Sequence, residues 1–236
     1  IIMDNTTIEP RVEKLFTAGA HYGYNRTRRH PSVKNYILTT KNGTDIINVE
    51  NTQEQLVAAK AFIAGIAAKG GTVLFVGTKP EARATVERVA STLGMPYIVE
   101  RWVGGILTNW SEIKKRTAKL EDLRGKKERG ELDMYTKKER LMIDIDIAKM
   151  HKLFSGLVGL TKLPDALVIV DAKEEDIAVK EARVARIPVV AITNTDNNIK
   201  GLDYPIMAND ASRSSITYLI EEIEAAMKSG TITTQA

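Results

Sequence analysis

Apolar positions along this chain fall into two alternating periods. Runs that are apolar or β-branched at almost every position stand at residues 72–76 (TVLFV), 97–99, 167–170 and 189–192. Such runs suit strands covered on both faces, as in a parallel sheet. Between them the spacing lengthens to three and four, the period of a helix with one buried face. Residues 7–18 put Ile8, Val12, Leu15 and Phe16 on one face and stop at Gly19. Thr52-Gln53-Glu54-Gln55 has the form of a capping box. It opens a helix with Leu56, Ala59, Phe62, Ile63 and Ile66 inward, closed by Gly70-Gly71. A second such box, Thr78-Lys79-Pro80-Glu81, starts a helix that runs to Leu93-Gly94. Residues 174–185 form a helix with Ile177, Ala178, Ala182 and Val184 on its apolar face, and residues 212–228 form the last one.

Two segments break this rhythm. Asn42-Gly43 is a tight-turn signal between residues 36–38 and 46–49, which read as a short hairpin. From Ile106 onward, Ile106, Asn109, Ile113, Arg116, Leu120 and Leu123 recur at alternating threes and fours. After a polar break at residues 125–130, Ile143, Ile147, Met150, Phe154 and Leu157 do the same. Two heptad-like helices joined by a charged tip predict an antiparallel coiled-coil helical hairpin. An ordinary amphipathic helix pair is the other reading of that spacing. The predicted architecture is α/β, a parallel-sheet αβα sandwich of the flavodoxin or Rossmann kind. Its strands lie near 46–49, 72–76, 97–99, 167–170 and 189–192, with a short one near 204–206. The body comprises residues 1–105 and 159–236, and the inserted hairpin residues 106–158.

Composition narrows the class without deciding it. In 236 residues, 43% are hydrophobic, enough for a real core, and no run approaches the ~18 apolar residues of a membrane span. The first ten residues have neither the charged start nor the apolar stretch of a secretory signal. The absence of cysteine rules out disulfides, thiolate metal sites and a cysteine nucleophile, and suits a reducing cytoplasm. A net charge of +4 leaves room for local basic patches on a mixed surface.

One such patch follows His21. Between there and Tyr36 stand Arg26, Arg28, Arg29 and Lys34 among three tyrosines, with no carboxylate. Cations interleaved with aromatics point to a polyanion, although a solvated loop would read the same way without the rings. Residues 100–116 (ERWVGGILTNWSEIKKR) hold both tryptophans of the chain. There Arg101-Trp102 precedes a Gly104-Gly105 hinge, and Asn109-Trp110 precedes Lys114-Lys115-Arg116. Rings beside a cation or an amide suit base stacking or ribose contact, and the lysines suit phosphates. The alternative is a helix N-terminus with Trp102 or Trp110 as a core anchor.

The same residues carry a resemblance. RWVGGILTNW closely resembles the RWxGGTLTNW signature of the bacterial small-subunit ribosomal protein family numbered two, with Ile106 in place of Thr. Further segments resemble that family in order. These are His21 to Tyr24 with His30-Pro31, Asn42 to Val49, the FVGTK at 75–79, Thr136-Lys137-Lys138-Glu139, and the stretches at 163–171 and 187–215. The similarity runs over about residues 17–222. It implies a structural protein of the small ribosomal subunit, in the cytoplasm, docked on small-subunit ribosomal RNA. Its implied partners are neighbouring ribosomal proteins, including the messenger-binding protein numbered one. The expected RNA-contacting set is Arg26, Arg28, Arg29, Lys34, Arg101, Trp102, Asn109, Trp110, Lys114, Lys115 and Arg213.

An enzyme is the competing class. Chemistry in a doubly wound sheet sits at the carboxyl ends of its strands, here Gly77-Thr78-Lys79, Asp171 and residues 194–196. No dinucleotide fingerprint or phosphate loop follows Gly77, and no serine sits in a GxSxG elbow. His21, His30 and His151 lack metal-ligand spacing. The expectation is therefore no catalytic residue, cofactor, metal, small-molecule substrate or membrane contact.

Overall fold

The computed structural model describes residues 10–235, with side chains through residue 231. The reading of the first ten residues, and the start of the helix expected at 7–18, fall almost wholly outside them. The chain opens with α1 (Pro10–Thr17) and a small antiparallel sheet of β1 (Tyr22–Asn25), β2 (Ile37–Lys41) and β3 (Thr44–Ile47), in the order β1-β3-β2. The Asn42-Gly43 turn between β2 and β3 has φ of 52° and 78°. Both are left-handed, as a two-residue hairpin turn that matches strand twist requires.

The strand expected near 46–49 therefore belongs to this antiparallel sheet. It ends early because Asn48 leaves the ladder to cap α2 (Val49–Ala68), its Oδ1 accepting from Glu50 N at 3.0 Å. The helix thus begins ahead of the Thr52 capping box. Inside α2, Thr52 instead donates its hydroxyl to Met207 O at 2.6 Å, tying the helix to the main sheet.

That main sheet is parallel and contains β4 (Val73–Val76), β5 (Tyr97–Ile98), β6 (Ala166–Val170), β7 (Val189–Thr193) and β8 (Tyr204–Met207), ordered β5-β4-β6-β7-β8. Numbered within the sheet this is 2-1-3-4-5, the flavodoxin-like order, with its switch point between β4 and β6. The remaining helices are α3 (Pro80–Leu93), α4 (Trp110–Glu128), α5 (Lys137–Phe154), α6 (Asp176–Ala185) and α7 (Arg213–Gln235).

The continuous apolar strands divide their side chains by alternation. Val73, Phe75, Val168, Val170, Val190 and Ile192 enter the core under α2, α3 and α7. Leu74, Val76, Leu167, Ile169, Val189 and Ala191 enter a second core under α6 and the start of the α4–α5 insertion. Two buried faces explain why the strands carry no polar alternation. On α6, Ala178 and Ala182 face the core as expected, but Ile177 and Val184 are exposed. The buried stripe passes instead through Glu181, three residues after Ala178 and next to Ala182.

Between β5 and β6, α4 and α5 lie side by side around a short tip (Glu131–Met134). Lys127 Nζ meets Asp144 Oδ1 across the pair at 2.6 Å. Ile113 and Leu120 are buried, but Asn109 and Arg116 are exposed; Thr117 takes the inward place read for Arg116. Phe154 and Leu157 are buried, with Ile147 and Met150 half-buried against the same core. At the foot of the pair Gly156 passes under β5, where a Cβ would lie 2.2 Å from Tyr97 O. No helix among the described residues is long and apolar enough to cross a membrane.

Candidate nucleic-acid interface

The tryptophan loop between β5 and α4 is built around one carboxylate. Glu181 projects from α6 and is 8% exposed. Its Oε1 accepts from the indole Nε1 of Trp102 at 3.1 Å and from Gly105 N at 2.7 Å. Its Oε2 accepts from Leu107 N at 3.0 Å and from both the N–H and the hydroxyl of Thr108 at 3.3 Å. Burial pushes this carboxyl's pKa up, but the donors from Gly105, Leu107, Trp102 and Thr108 together hold it below the ordinary glutamate value. The chain can turn its amides inward because Gly105 has φ of +96°, a left-handed conformation. Gly104 carries no such requirement.

The Trp102 side chain, expected to stack on a base, is tied inward by its bond to Glu181. Its ring is 6% exposed and packs in the second core with Ile106, Leu107 and Ile113. Trp110, at the first position of α4, is half-buried against the same core. What the loop presents outward is Arg101, Thr108, Asn109 and, one turn into α4, Lys114. Lys115 is exposed and pairs with Glu112 at 2.6 Å. The entry to the loop is fixed by Glu100, whose Oε2 lies 3.4 Å from both Arg83 and Lys152.

The N-terminal cations are not as unbalanced as the sequence suggested. Arg29 forks onto Asp45 and reaches Thr40 Oγ1 at 2.8 Å. The Arg29 hydrogen bonds hold the buried Asp45 carboxyl well below its usual pKa. Arg28 sits over the Tyr24 ring, 4.3 Å from its centroid, and meets Asp196 at 3.1 Å. These carboxylates come from the hairpin and from the loop after β7, so proximity in sequence could not reveal them. Arg26 and Lys34 are exposed, as is Arg213 at the start of α7. None of these three, nor Arg101 or Lys114, forms a salt bridge among the described residues.

The carboxyl ends of the strands do converge, but onto an internal ion cluster. Lys79 Nζ lies 2.5 Å from Asp171 and 3.2 Å from Asp210. The Thr78 box does not form: Lys79 occupies the cap position without a side-chain cap bond, and Thr78 N donates to Glu175 at 2.9 Å instead. Asn194 and Asn197 bond to Asp210 and Asp171, each at 3.1 Å. Burial, and then the charge of Asp171, push Asp210 up to about 6. Desolvation opposes the ionisation of Asp171, but the hydrogen bond and charge of Lys79, with the donors from Lys173 and Asn197, together outweigh it, so Asp171 stays below its usual value. The lysine that could greet a phosphate at the switch point is thus held by two carboxylates. No metal-ligating cluster of histidine or carboxylate side chains is present among the described residues.

Residues 15–230 match the family model for Ribosomal protein S2. The chain belongs to the ribosomal protein S2 family. It is 40% identical over 220 residues to a small ribosomal subunit protein uS2 from Acidothermus cellulolyticus, covering 93% of this chain and 80% of the relative. A Thermus thermophilus uS2 is 39% identical over 213 residues, with 90% and 83% covered. Another from Coprothermobacter proteolyticus is 37% identical over 219 residues, with 93% and 82% covered. Members of the S2 family are structural constituents of the small ribosomal subunit in the cytoplasm, acting in translation, and are not enzymes.

In this S2-family chain, Glu181 is the site residue that reading the sequence missed. Its signal was present: a carboxylate between Ala178 and Ala182 on the buried stripe of a short helix. An inward charge on such a face needs donors, and the tryptophan loop supplies five of them.

Proposed function

We propose that this chain binds small-subunit ribosomal RNA as a structural constituent of the small subunit, without catalysing a reaction. The observation that carries the reading is membership of the S2 family over almost the whole chain. The physical support is a set of exposed cations that form no salt bridge among the described residues, Arg26 and Lys34 in the N-terminal module and Arg101, Lys114 and Arg213 elsewhere. These neutralise phosphates, and Asn109 contacts ribose or base edges. Arg28, Lys115 and Trp110 contribute partly, since each already has an internal contact. Arg29 and Trp102 belong to the framework beneath.

The body spans residues 1–105 and 159–236, and the insertion 106–158 is an antiparallel coiled-coil hairpin with a seam through Ile113, Thr117 and Leu120 on one helix and Ile147, Met150 and Phe154 on the other. Through this assembly the chain contacts neighbouring ribosomal proteins and supports recruitment of the messenger-binding protein one. The test is sedimentation with small subunits depleted of their own S2-family protein. Stoichiometric binding at moderate salt, reversed at high salt, supports the reading. Failure to bind at any salt removes it.

A further inference from the structure

We propose that Glu181 is the positioning residue for the proposed RNA-binding loop; this rests on the RNA-binding reading above. One carboxylate gathers five donors from residues 102–108, among them three backbone N–H groups. A backbone segment that turns three N–H groups to one point has few conformations left. Within hydrogen-bonding reach of these donors, only an acceptor with lone pairs on both oxygens can serve them all. The loop itself supplies no carboxylate at that point; Glu181 comes from α6, on the far side of a crossover.

The consequence reaches the surface through chain geometry. Arg101 directly precedes Trp102, the first donor, and Asn109 directly follows Thr108, the last. Asn109 O then receives Glu112 N and Ile113 N, at 3.1 and 3.3 Å, starting the helix that presents Lys114. Fixing residues 102–108 therefore fixes the separation of Arg101 from Asn109 and Lys114. Preorganised contacts bind more tightly because the ordering cost is met before the ligand arrives.

Glu181→Gln keeps the shape but replaces one acceptor oxygen with an NH2 group facing N–H donors. The measurements are amide hydrogen exchange at Gly105, Leu107 and Thr108, and affinity for small-subunit ribosomal RNA across a salt series. Leu219→Ala, in the core on the opposite face of the sheet, serves as a control for loss of global stability. The expected result is exchange at those three amides at least tenfold faster and affinity at least tenfold weaker. A flatter salt slope should accompany it, as for lost phosphate contacts. The control should change neither property at an equal loss of melting temperature. Unchanged exchange, unchanged affinity, or an equal loss of affinity in the control would overturn the proposal. Failure of the RNA-binding reading itself is distinguishable, because the parent chain would then not bind at all.

Discussion

The indole N–H of Trp102 lies 3.1 Å from the Glu181 carboxylate, and the ring around it is buried. The residue that looks most like a base-stacking platform is thus a hydrogen-bonded part of the core. Trp102→Ala should destabilise the protein by about 3–5 kcal/mol, as for other buried aromatic truncations. Trp102→Phe keeps most of the packing and strips one donor from a charged acceptor, costing about 1.5–3 kcal/mol. Urea unfolding measures both. A Trp102→Ala protein as stable as the parent, yet defective in RNA binding, would return the ring to the interface.

The contrast with Trp102 shows what a sequence can reveal. The buried strands at 73–76, 166–170 and 189–193 were legible because two covered faces leave only apolar residues. The turn at Asn42-Gly43 was legible because few residues accept its φ angles. What stayed hidden was long-range pairing. Asp45 and Asp196 reach the N-terminal arginines from 16 and 168 residues away, and Glu181 reaches Trp102 from 79. Capping boxes at Thr52 and Thr78 misled because distant partners, Met207 O for one and Glu175 for the other, took the groups concerned.

Arg29 and Lys34 should separate stability from binding. Asp45 is fully buried, and Arg29→Ala would leave it without its cation. Breaking such a pair costs about 3–5 kcal/mol. Lys34→Ala should leave the unfolding midpoint within about 0.5 kcal/mol, as for ordinary surface changes. It should also reduce the dependence of log affinity on log salt by about one, the loss of a single phosphate contact. The Asp45 pKa is depressed, so its contribution is present above the unfolded value near ~3.9 and is lost as pH falls through the lower folded one. The penalty of Arg29→Ala should accordingly shrink in strong acid. Equal melting of the two variants at neutral pH would contradict this division.

Asp210 behaves in the opposite sense. Its folded pKa is raised to about 6, so its favourable contribution is complete below the unfolded value and is lost as pH rises through about 6. Lys79 remains charged and Asp171 ionised across that window, because both shifts favour their charged forms. Asp210→Asn deletes the titration while keeping the side chain's shape. Its stability relative to the parent should therefore improve from pH 5 to pH 7.5, by roughly 1–1.5 kcal/mol, because more than half of the interval between the unfolded pKa and about 6 lies below pH 5. Melting curves at a series of pH values decide it. A stability difference flat across the window would mean that the carboxyl titrates normally.

The seam of the α4–α5 pair offers the sharpest choice between spacing and geometry. Heptad counting puts Arg116 inward, whereas the structure exposes it and buries Thr117 and Leu120. The reason is the helical period: from Ile113, steps of four and three land on Thr117 and Leu120, while a first step of three drifts toward the flank. Leu120 is fully buried, so Leu120→Ala should cost about 2–5 kcal/mol. Arg116→Ala, with no salt bridge among the described residues to lose, should stay within about 0.5 kcal/mol. Thr117→Val removes a hydroxyl that donates only to Lys114 O, 3.0 Å away within its own helix, and should be neutral or slightly stabilising. Guanidinium unfolding of the three variants reads the seam directly. A costly Arg116→Ala would put the buried face where the simple repeat places it, whereas a harmless Leu120→Ala would contradict both readings, since each buries Leu120.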